Sequence, residues 1–118
     1  MTMLRAATVF VFCLCVSGLQ IRSASAEMTV GMLAEVCKSH ELQDRQMCGT
    51  YLLGVMDSFK VSAKQYGAKI PFCYPKSGLS ADDMSLVFRL WASTNSGEKD
   101  KAAISGIVTA MTERFPCP

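Results

Sequence analysis

Four cysteines after residue 26 constrain the fold of this chain more than any other feature. They are Cys37, Cys48, Cys73 and Cys117, and no two of them form a C-x-x-C pair. An even number of cysteines in a small exported domain predicts a framework of two disulfides. A four-cysteine zinc site is the rival interpretation, but its usual C-x-x-C spacing is missing and an oxidising compartment disfavours it. We therefore expect disulfides, with no metal and no other cofactor.

The N-terminal sequence predicts export. A short basic stretch, MTMLR, precedes the apolar run AATVFVFCLCVSGL, and SASA ends in the small-x-small pattern of a signal peptidase site at Ala24 and Ala26. The apolar run is short for a transmembrane helix, so a signal peptide of residues 1–26 is favoured over an N-terminal anchor. Cleavage after Ala26 would leave residues 27–118 in the periplasm, with no membrane segment.

The charge balance after the signal peptide disfavours two classes of partner. Two of the twelve basic residues, Arg5 and Arg22, lie in the predicted signal peptide, and the other basic residues equal the ten acidic ones in number. A neutral chain without a basic run argues against nucleic acid and against an anionic membrane surface. A chain of this length buries one modest core, so we expect residues 27–118 to form a single domain.

Apolar residues recur at helical spacing in four segments and predict an all-α fold, a small four-helix domain cross-linked by two disulfides. The predicted helices cover residues 29–39 and 42–65, the segment from Ser80 to the break at STNSG, and residues 98–114. The second predicted helix is apolar on two sides, which is typical of a central helix packed by neighbours on both. Asn95 or Ser96 is the expected cap of the fourth helix.

The fourth predicted helix has two different faces. Its expected core stripe consists of Ile104, Ile107, Val108, Met111 and Phe115. A face of small residues, Ala103, Gly106 and Ala110, lies on another side. Together with Leu86 and Leu90 on the third helix, this face forms apolar surface that a four-helix monomer need not bury, which favours a homodimer.

The longest irregular segment covers residues 66–79. Pro71 and Pro75 exclude a regular helix there, and Gly67 and Gly78 bracket the segment. Long loops in compact domains are often functional or fixed by cross-links, and this one contains Cys73.

Four cysteines allow three pairings. We favour Cys37–Cys48 with Cys73–Cys117, because the first bond would join the end of one helix to the start of the next and the second would fix the long loop. The pairing of Cys37 with Cys117 and of Cys48 with Cys73 remains open at this point.

The sequence contains no recognisable catalytic constellation. His40 is the only histidine, and the S-x-x-K match at residues 96–99 lacks the further motifs that a β-lactamase site requires. Asp82 and Asp83 are adjacent on a helix, so their side chains diverge and suit the first helical turn. Asp57 is interpreted as a solvated partner of a nearby lysine, in preference to a buried carboxylate that organises a loop. The chain is therefore predicted to be a binding or inhibitory module and not an enzyme.

The order of short motifs along the chain resembles the Rap/Tai family. The motifs are CGTYLLGVMDSF, FCYP and RFPC, and their matching positions besides the cysteines are Gly49, Tyr51, Gly54, Val55, Asp57, Phe72, Pro75, Phe115 and Pro116. Members of this family are periplasmic immunity proteins against type VI secretion effectors, many of which are peptidoglycan amidases. The resemblance implies an all-helical domain, often a homodimer, that blocks the active-site cleft of an effector.

Contacts with an effector protein are expected on two loops. The expected contact residues are Lys69, Tyr74, Lys76 and Ser77 in the first loop, and Asn95, Ser96, Glu98 and Lys99 in the second. The alternative function is a stand-alone periplasmic binding or chaperone-like module. A chaperone switched by pH is disfavoured, because a single histidine leaves little to titrate between about pH 5 and 8.

Overall fold

The computed structural model describes residues 26–118, so the predicted signal peptide lies outside the described residues except for Ala26. The described range contains four α-helices: α1 Val30–Lys38, α2 Leu42–Tyr66, α3 Ala81–Thr94 and α4 Ala103–Arg114. One turn of 3-10 helix, Ser96–Glu98, separates α3 from α4. The predicted all-α, four-helix fold is confirmed. No helix within residues 26–118 has the length and apolar character needed to cross a bilayer.

Both disulfides follow the pairing that we favoured. Cys37 in the last turn of α1 is bonded to Cys48 in α2, eleven residues later in the sequence. Cys73 is bonded to Cys117 across 44 residues, which joins the loop between α2 and α3 to the segment that follows α4. The alternative pairing is thereby excluded.

The centre of the domain is formed by α1 and α3, each of which packs against the three other helices. Thr29 caps α1 by accepting a hydrogen bond from the backbone N–H of Met32 at 3.2 Å. The expectation that α2 is packed on two sides holds in part, because α2 contacts both α1 and α3 and Met56 of its second apolar side is buried, whereas Leu53 on that side is exposed. One stripe of α2 is buried, and it consists of Cys48, Leu52, Val55 and Met56.

The fourth helix begins at Ala103 and not at residue 98 as predicted. The preceding residues run beside the start of α1, where the N–H groups of Val30 and Gly31 donate to the carbonyls of Lys101 and Lys99, both at 2.9 Å. The N–H of Ala103 donates to the carbonyl of Met28 at 2.8 Å. Since the first N–H groups of a helix have no partner within it, these contacts cap α1 and hold residues 99–102 out of a helix.

The expected capping of α4 by Asn95 or Ser96 is also wrong, because Ala102 occupies the N-cap position. Asn95 instead ends α3, where its side-chain Nδ2 donates to the carbonyl of Trp91 at 2.8 Å. This contact satisfies one of the last carbonyls of α3.

The small-residue face of α4 packs inside the monomer. Ala103, Gly106 and Ala110 are buried, whereas Ile104 of the expected core stripe is exposed. The small residues allow α4 to approach α1 and α3 closely, so this face is covered within the monomer. Of the apolar surface expected to remain uncovered, only Leu86 and Leu90 are exposed, at 48% and 60%.

Candidate functional site

The segment between α2 and α3, residues 67–80, is called the long loop below. It leaves α2 through Gly67, with φ of 65°, and turns again at Gly78, with φ of 84°. Both angles lie in the left-handed region, which glycine adopts without steric cost. The loop ends at Ser80, the N-cap of α3.

A buried aromatic side chain anchors the long loop to α2. Phe72 belongs to the hydrophobic core, and its ring meets Phe59 of α2 edge-on with centroids 6.2 Å apart. The ring of Tyr74 lies 5.2 Å from Phe72 on the same side of α2. Aromatic pairs of this geometry contribute beyond their buried area, so the centre of the loop is firmly attached.

Tyr74 makes a second attachment. Its hydroxyl donates to the carbonyl of Met56 at 3.5 Å, and the ammonium of Lys60 lies 5.4 Å from its ring centre. Burial raises the pKa of the Tyr74 hydroxyl, and the nearby carboxylate of Asp57 raises it further. The hydroxyl is therefore protonated at neutral pH and can act as this donor. Tyr74, which was expected to contact a partner, is half-buried and holds the loop in place.

The Asp57 side chain is exposed and pairs with Lys60 at 3.4 Å. This arrangement matches the solvated ion pair that the sequence favoured. An exposed pair of this kind contributes little to stability. The pair places both of its charges beside Tyr74. The ammonium of Lys60 lies over the tyrosine ring, and the carboxylate of Asp57 raises the pKa of the tyrosine hydroxyl.

The third attachment of the long loop is covalent. Cys73 is bonded to Cys117, and the N–H of Cys73 donates to the carbonyl of Phe115 at 2.9 Å. Phe72, Cys73 and Tyr74 are consecutive, so a short central stretch of the loop is fixed to α2 on one side and to the end of α4 on the other.

Three of the expected contact residues of the long loop are exposed: Lys69, Lys76 and Ser77. Neither lysine forms a salt bridge with another residue in the range 26–118. The long loop therefore exposes two positive charges and a hydroxyl. Three consecutive residues between them attach the loop to the rest of the fold.

The second expected contact loop, residues 95–101, is largely engaged within the fold. Glu98 pairs with Lys101 at 2.6 Å, Asn95 ends α3, and the carbonyl of Lys99 accepts from Gly31. The side chains of Ser96 and Lys99 are exposed. The two loops lie at opposite ends of α3, whose 14 residues span about 21 Å, so the structure does not bring the two sets of contact residues together.

A groove of about 780 Å³, called the α3–α4 groove below, runs along α3 between the two loops. The exposed side chains of Leu86 and Leu90 lie on its α3 side, and Trp91 and Ala110 contribute buried apolar surface. Its lining is completed by Pro75, Ser77, Gly78, Leu79, Asp83, Val87, Thr94, Glu113, Arg114 and Phe115. The leucine pair was recognisable in the sequence, but the residues that α4 contributes depend on how the two helices pair.

The positions of the family motif have different surroundings. A Cβ at Gly49 would lie 3.4 Å from Cβ of Ala81, so this glycine borders the start of α3, whereas a Cβ at Gly54 would meet nothing within 4 Å. Tyr51 is half-buried and packs against the core. Pro75 and Phe115 line the α3–α4 groove, and Pro116 is exposed beside the disulfide.

The exposed surface carries one histidine and no cluster of metal ligands within residues 26–118. In the part of the chain that the structure describes, no three histidine, cysteine or acidic residues converge to hold a metal ion. His40, the single histidine, is exposed between α1 and α2. The exposed lysines of the long loop and the apolar α3–α4 groove provide charge and apolar area for contacts with another protein.

Comparison with protein-family models matches residues 29–117 to the Rap1a immunity proteins. The match extends from the N-cap of α1 to Cys117, and so includes all four helices and both disulfides. No curated protein and no solved structure gives a significant match. The family that the motifs indicated is thus confirmed, and this chain belongs to the Rap1a immunity protein family.

Proposed function

We propose that this protein is a periplasmic immunity protein that binds a type VI secreted effector and inhibits it without chemistry of its own. The effector in this proposal degrades peptidoglycan, as an amidase does. The observation that carries the proposal is the family match over residues 29–117. Two disulfides suit an oxidising compartment such as the periplasm and support the proposed location.

The proposed contact surface is the long loop. Ordering a flexible segment on binding costs conformational entropy, and a segment that is already fixed avoids this cost. Phe72, Cys73 and Tyr74 fix the base of the loop, while Lys69 and Lys76 remain exposed. Such a loop can bind in a concave active-site cleft without changing its conformation and so block the cleft. Residues 95–101 fit this role less well, because several of their polar groups bond within the fold.

A second copy of the chain is the proposed occupant of the α3–α4 groove. An immunity protein has to be present before its toxin arrives, so it spends most of its time without the effector. During that time an open apolar groove with Leu86 and Leu90 at its side would favour aggregation. A homodimer covers this surface permanently, including the part of the long loop that lines the groove, and leaves Lys69 and Lys76 of each copy for the effector.

The function is tested by directing a candidate effector to the periplasm of a sensitive bacterium, with and without this protein. Cells that also produce the protein are expected to survive. Lysis that is unchanged by the protein would contradict the proposal for that effector.

The contact surface is tested in the same assay by reversing charge on the long loop. Lys69→Glu/Lys76→Glu is expected to lower protection and to weaken binding of the purified effector. Arg45→Glu/Lys64→Glu is the matched control, because it makes the same charge change on α2 at two exposed residues that form no salt bridge within residues 26–118. Equal loss of binding by both variants would show a general charge effect and would contradict the assignment of the loop.

A further inference from the structure

The two disulfides of the domain differ in their exposure to solvent. Cys37 and Cys48 are buried, with 4% and 1% of their surface exposed. Cys73 and Cys117 are both exposed. Because a disulfide is broken by direct attack of a thiolate on sulfur, access to the bond limits the rate of its reduction. The Cys37–Cys48 bond is reached only after local opening of the domain, whereas both residues of the Cys73–Cys117 bond lie at the surface of the native state.

The exposed bond lies where it controls the proposed contact surface. Cys73 stands between Phe72 and Tyr74 in the long loop, and Cys117 stands three positions after the end of α4. Phe115, on the same short segment as Cys117, lines the α3–α4 groove and accepts the hydrogen bond of the Cys73 N–H. Loss of the bond therefore leaves the end of the chain joined to the loop by this hydrogen bond alone and removes the covalent one of the three attachments of the loop.

We propose that the Cys73–Cys117 disulfide is a redox-sensitive bond that sets the binding-competent form of the long loop, while the buried Cys37–Cys48 disulfide maintains the core. The effect on effector binding rests on the proposed function. The difference in reducibility between the two bonds and its effect on the loop do not.

The reduction involves a dithiol as the co-reactant. One thiolate of the dithiol attacks a sulfur of the Cys73–Cys117 bond, forms a mixed disulfide and releases the other cysteine as a thiolate. The second thiol of the dithiol then displaces the first cysteine and closes a cyclic disulfide. The protein gains two electrons and two protons as two thiols, and the dithiol loses the same number.

The reduced domain keeps its fold under this proposal. Phe72 and Leu33 stay in the buried core, and the Cys37–Cys48 bond still joins α1 to α2. What changes is confined to the long loop and to the segment that follows α4. A chain whose Cys73–Cys117 bond has not formed, as in a reducing compartment, is thus folded, but its long loop is held only by the noncovalent contacts of Phe72 and Tyr74.

The first experiment measures which bond is reduced first. Protein purified from the periplasm is treated with increasing dithiothreitol, the free thiols are alkylated, and each cysteine is quantified by peptide mapping. Cys73 and Cys117 are expected to be alkylated on the order of tenfold faster than Cys37 and Cys48, because the buried pair needs an opening step. Reduction of the buried bond first, or of both bonds at one rate, would overturn the proposal.

The second experiment measures the loop by hydrogen exchange at the dithiothreitol concentration that reduces only the exposed bond. The amides of Cys73 and Phe115, which donate hydrogen bonds in the oxidised form, are expected to exchange at least about tenfold faster, while those in the buried halves of α1 and α2 keep their protection. Cys73→Ser/Cys117→Ser reproduces the change without reductant. A loop that is protected equally in the oxidised and reduced forms would overturn the proposal.

The third experiment compares effector binding by the oxidised form and by the selectively reduced form. Binding that is at least about tenfold weaker after reduction supports the control of the contact surface, since a loosened loop has to be ordered again on binding. Equal binding by both forms overturns that control but leaves the immunity function intact. If the oxidised form binds no effector, the proposed function fails. The first two experiments still test whether the exposed bond is reduced first and whether its reduction loosens the loop.

Discussion

Gly106 on α4 lies directly against Val30 at the start of α1. A Cβ atom at position 106 would lie 2.6 Å from Cγ2 of Val30 and 3.0 Å from Cζ3 of Trp91 on α3. The first distance is too short for carbon atoms in contact and the second is tight, so a side chain at position 106 would force Val30 or Trp91 to shift. Three helices meet at this glycine, and its missing side chain is what permits their close approach.

We predict that Gly106→Ala destabilises the domain by about 1–3 kcal/mol, because the added methyl forces Val30 or the Trp91 ring to move within a packed core. The measurement is urea unfolding followed by circular dichroism. Gly97→Ala is the control, because a Cβ at Gly97 would meet nothing within 4 Å. Unfolding midpoints that are the same for Gly106→Ala and the unmodified protein would refute the close approach.

Gly54→Ala is expected to have the opposite effect. Position 54 is exposed inside α2, and a Cβ there would meet nothing within 4 Å. Alanine reduces the freedom of the unfolded chain and favours a helix, so the substitution should stabilise the domain by about 0.5–1 kcal/mol. The same unfolding assay measures it, and a lower stability would contradict the open surroundings of this glycine. Nothing within the described monomer explains why the family motif carries glycine at this position.

The features that were correctly predicted from the sequence depend on local pattern. The four helices follow from apolar residues at helical spacing, and the favoured cysteine pairing follows from where these helices begin and end. The start of α4 was predicted wrongly, because residues 99–103 bond to residues 28–31, which are far away in sequence. No local propensity encodes those contacts.

The binding surface was predictable only in part, for a related reason. The long loop was identified from Pro71, Pro75 and the flanking glycines, but its attachment through Phe72 and Tyr74 depends on the position of α2. Tyr74 was therefore assigned to partner contact although it mainly holds the loop. The small face of α4 was assigned to a free surface because larger residues more often form a core. At Gly106 close helix packing reverses that expectation.

The start of α3 provides a prediction that depends on pH. Ser80 donates from Oγ to the carboxylate of Asp83 at 2.6 Å, and the N–H of Asp83 donates back to Ser80 Oγ at 3.1 Å. The hydrogen bonds from the hydroxyl and from the backbone N–H of Ser80 lower the pKa of Asp83 in the folded state. A lowered pKa means that the contribution to stability is complete above the pKa of the unfolded state and is lost as the pH falls through that of the folded state.

We therefore expect Asp83→Asn to be less stable than the unmodified protein at pH 7, with a difference that shrinks as the pH falls below about 4. Urea unfolding at a series of pH values measures this difference. Asp82→Asn is the control, since Asp82 is the neighbouring exposed carboxylate in the same helical turn. A difference for Asp83→Asn that is the same at pH 7 and pH 3 would refute the role of the ionised capping box.

The last prediction concerns the proposed homodimer. Leu86 and Leu90 are one helical turn apart, and a second copy that occupies the α3–α4 groove would bury both. Leu90→Glu places a charge in the centre of that contact, where an unpaired buried charge is costly. The substitution is expected to give a monomer at micromolar concentration in light scattering, while the helix content stays unchanged because Leu90 faces outward in the monomer. Val61→Glu on α2 is the matched control, since Val61 is 50% exposed and lies outside the groove lining. A dimer that persists in Leu90→Glu but dissociates in Val61→Glu would move the interface to α2, and a monomeric unmodified protein would exclude the dimer altogether.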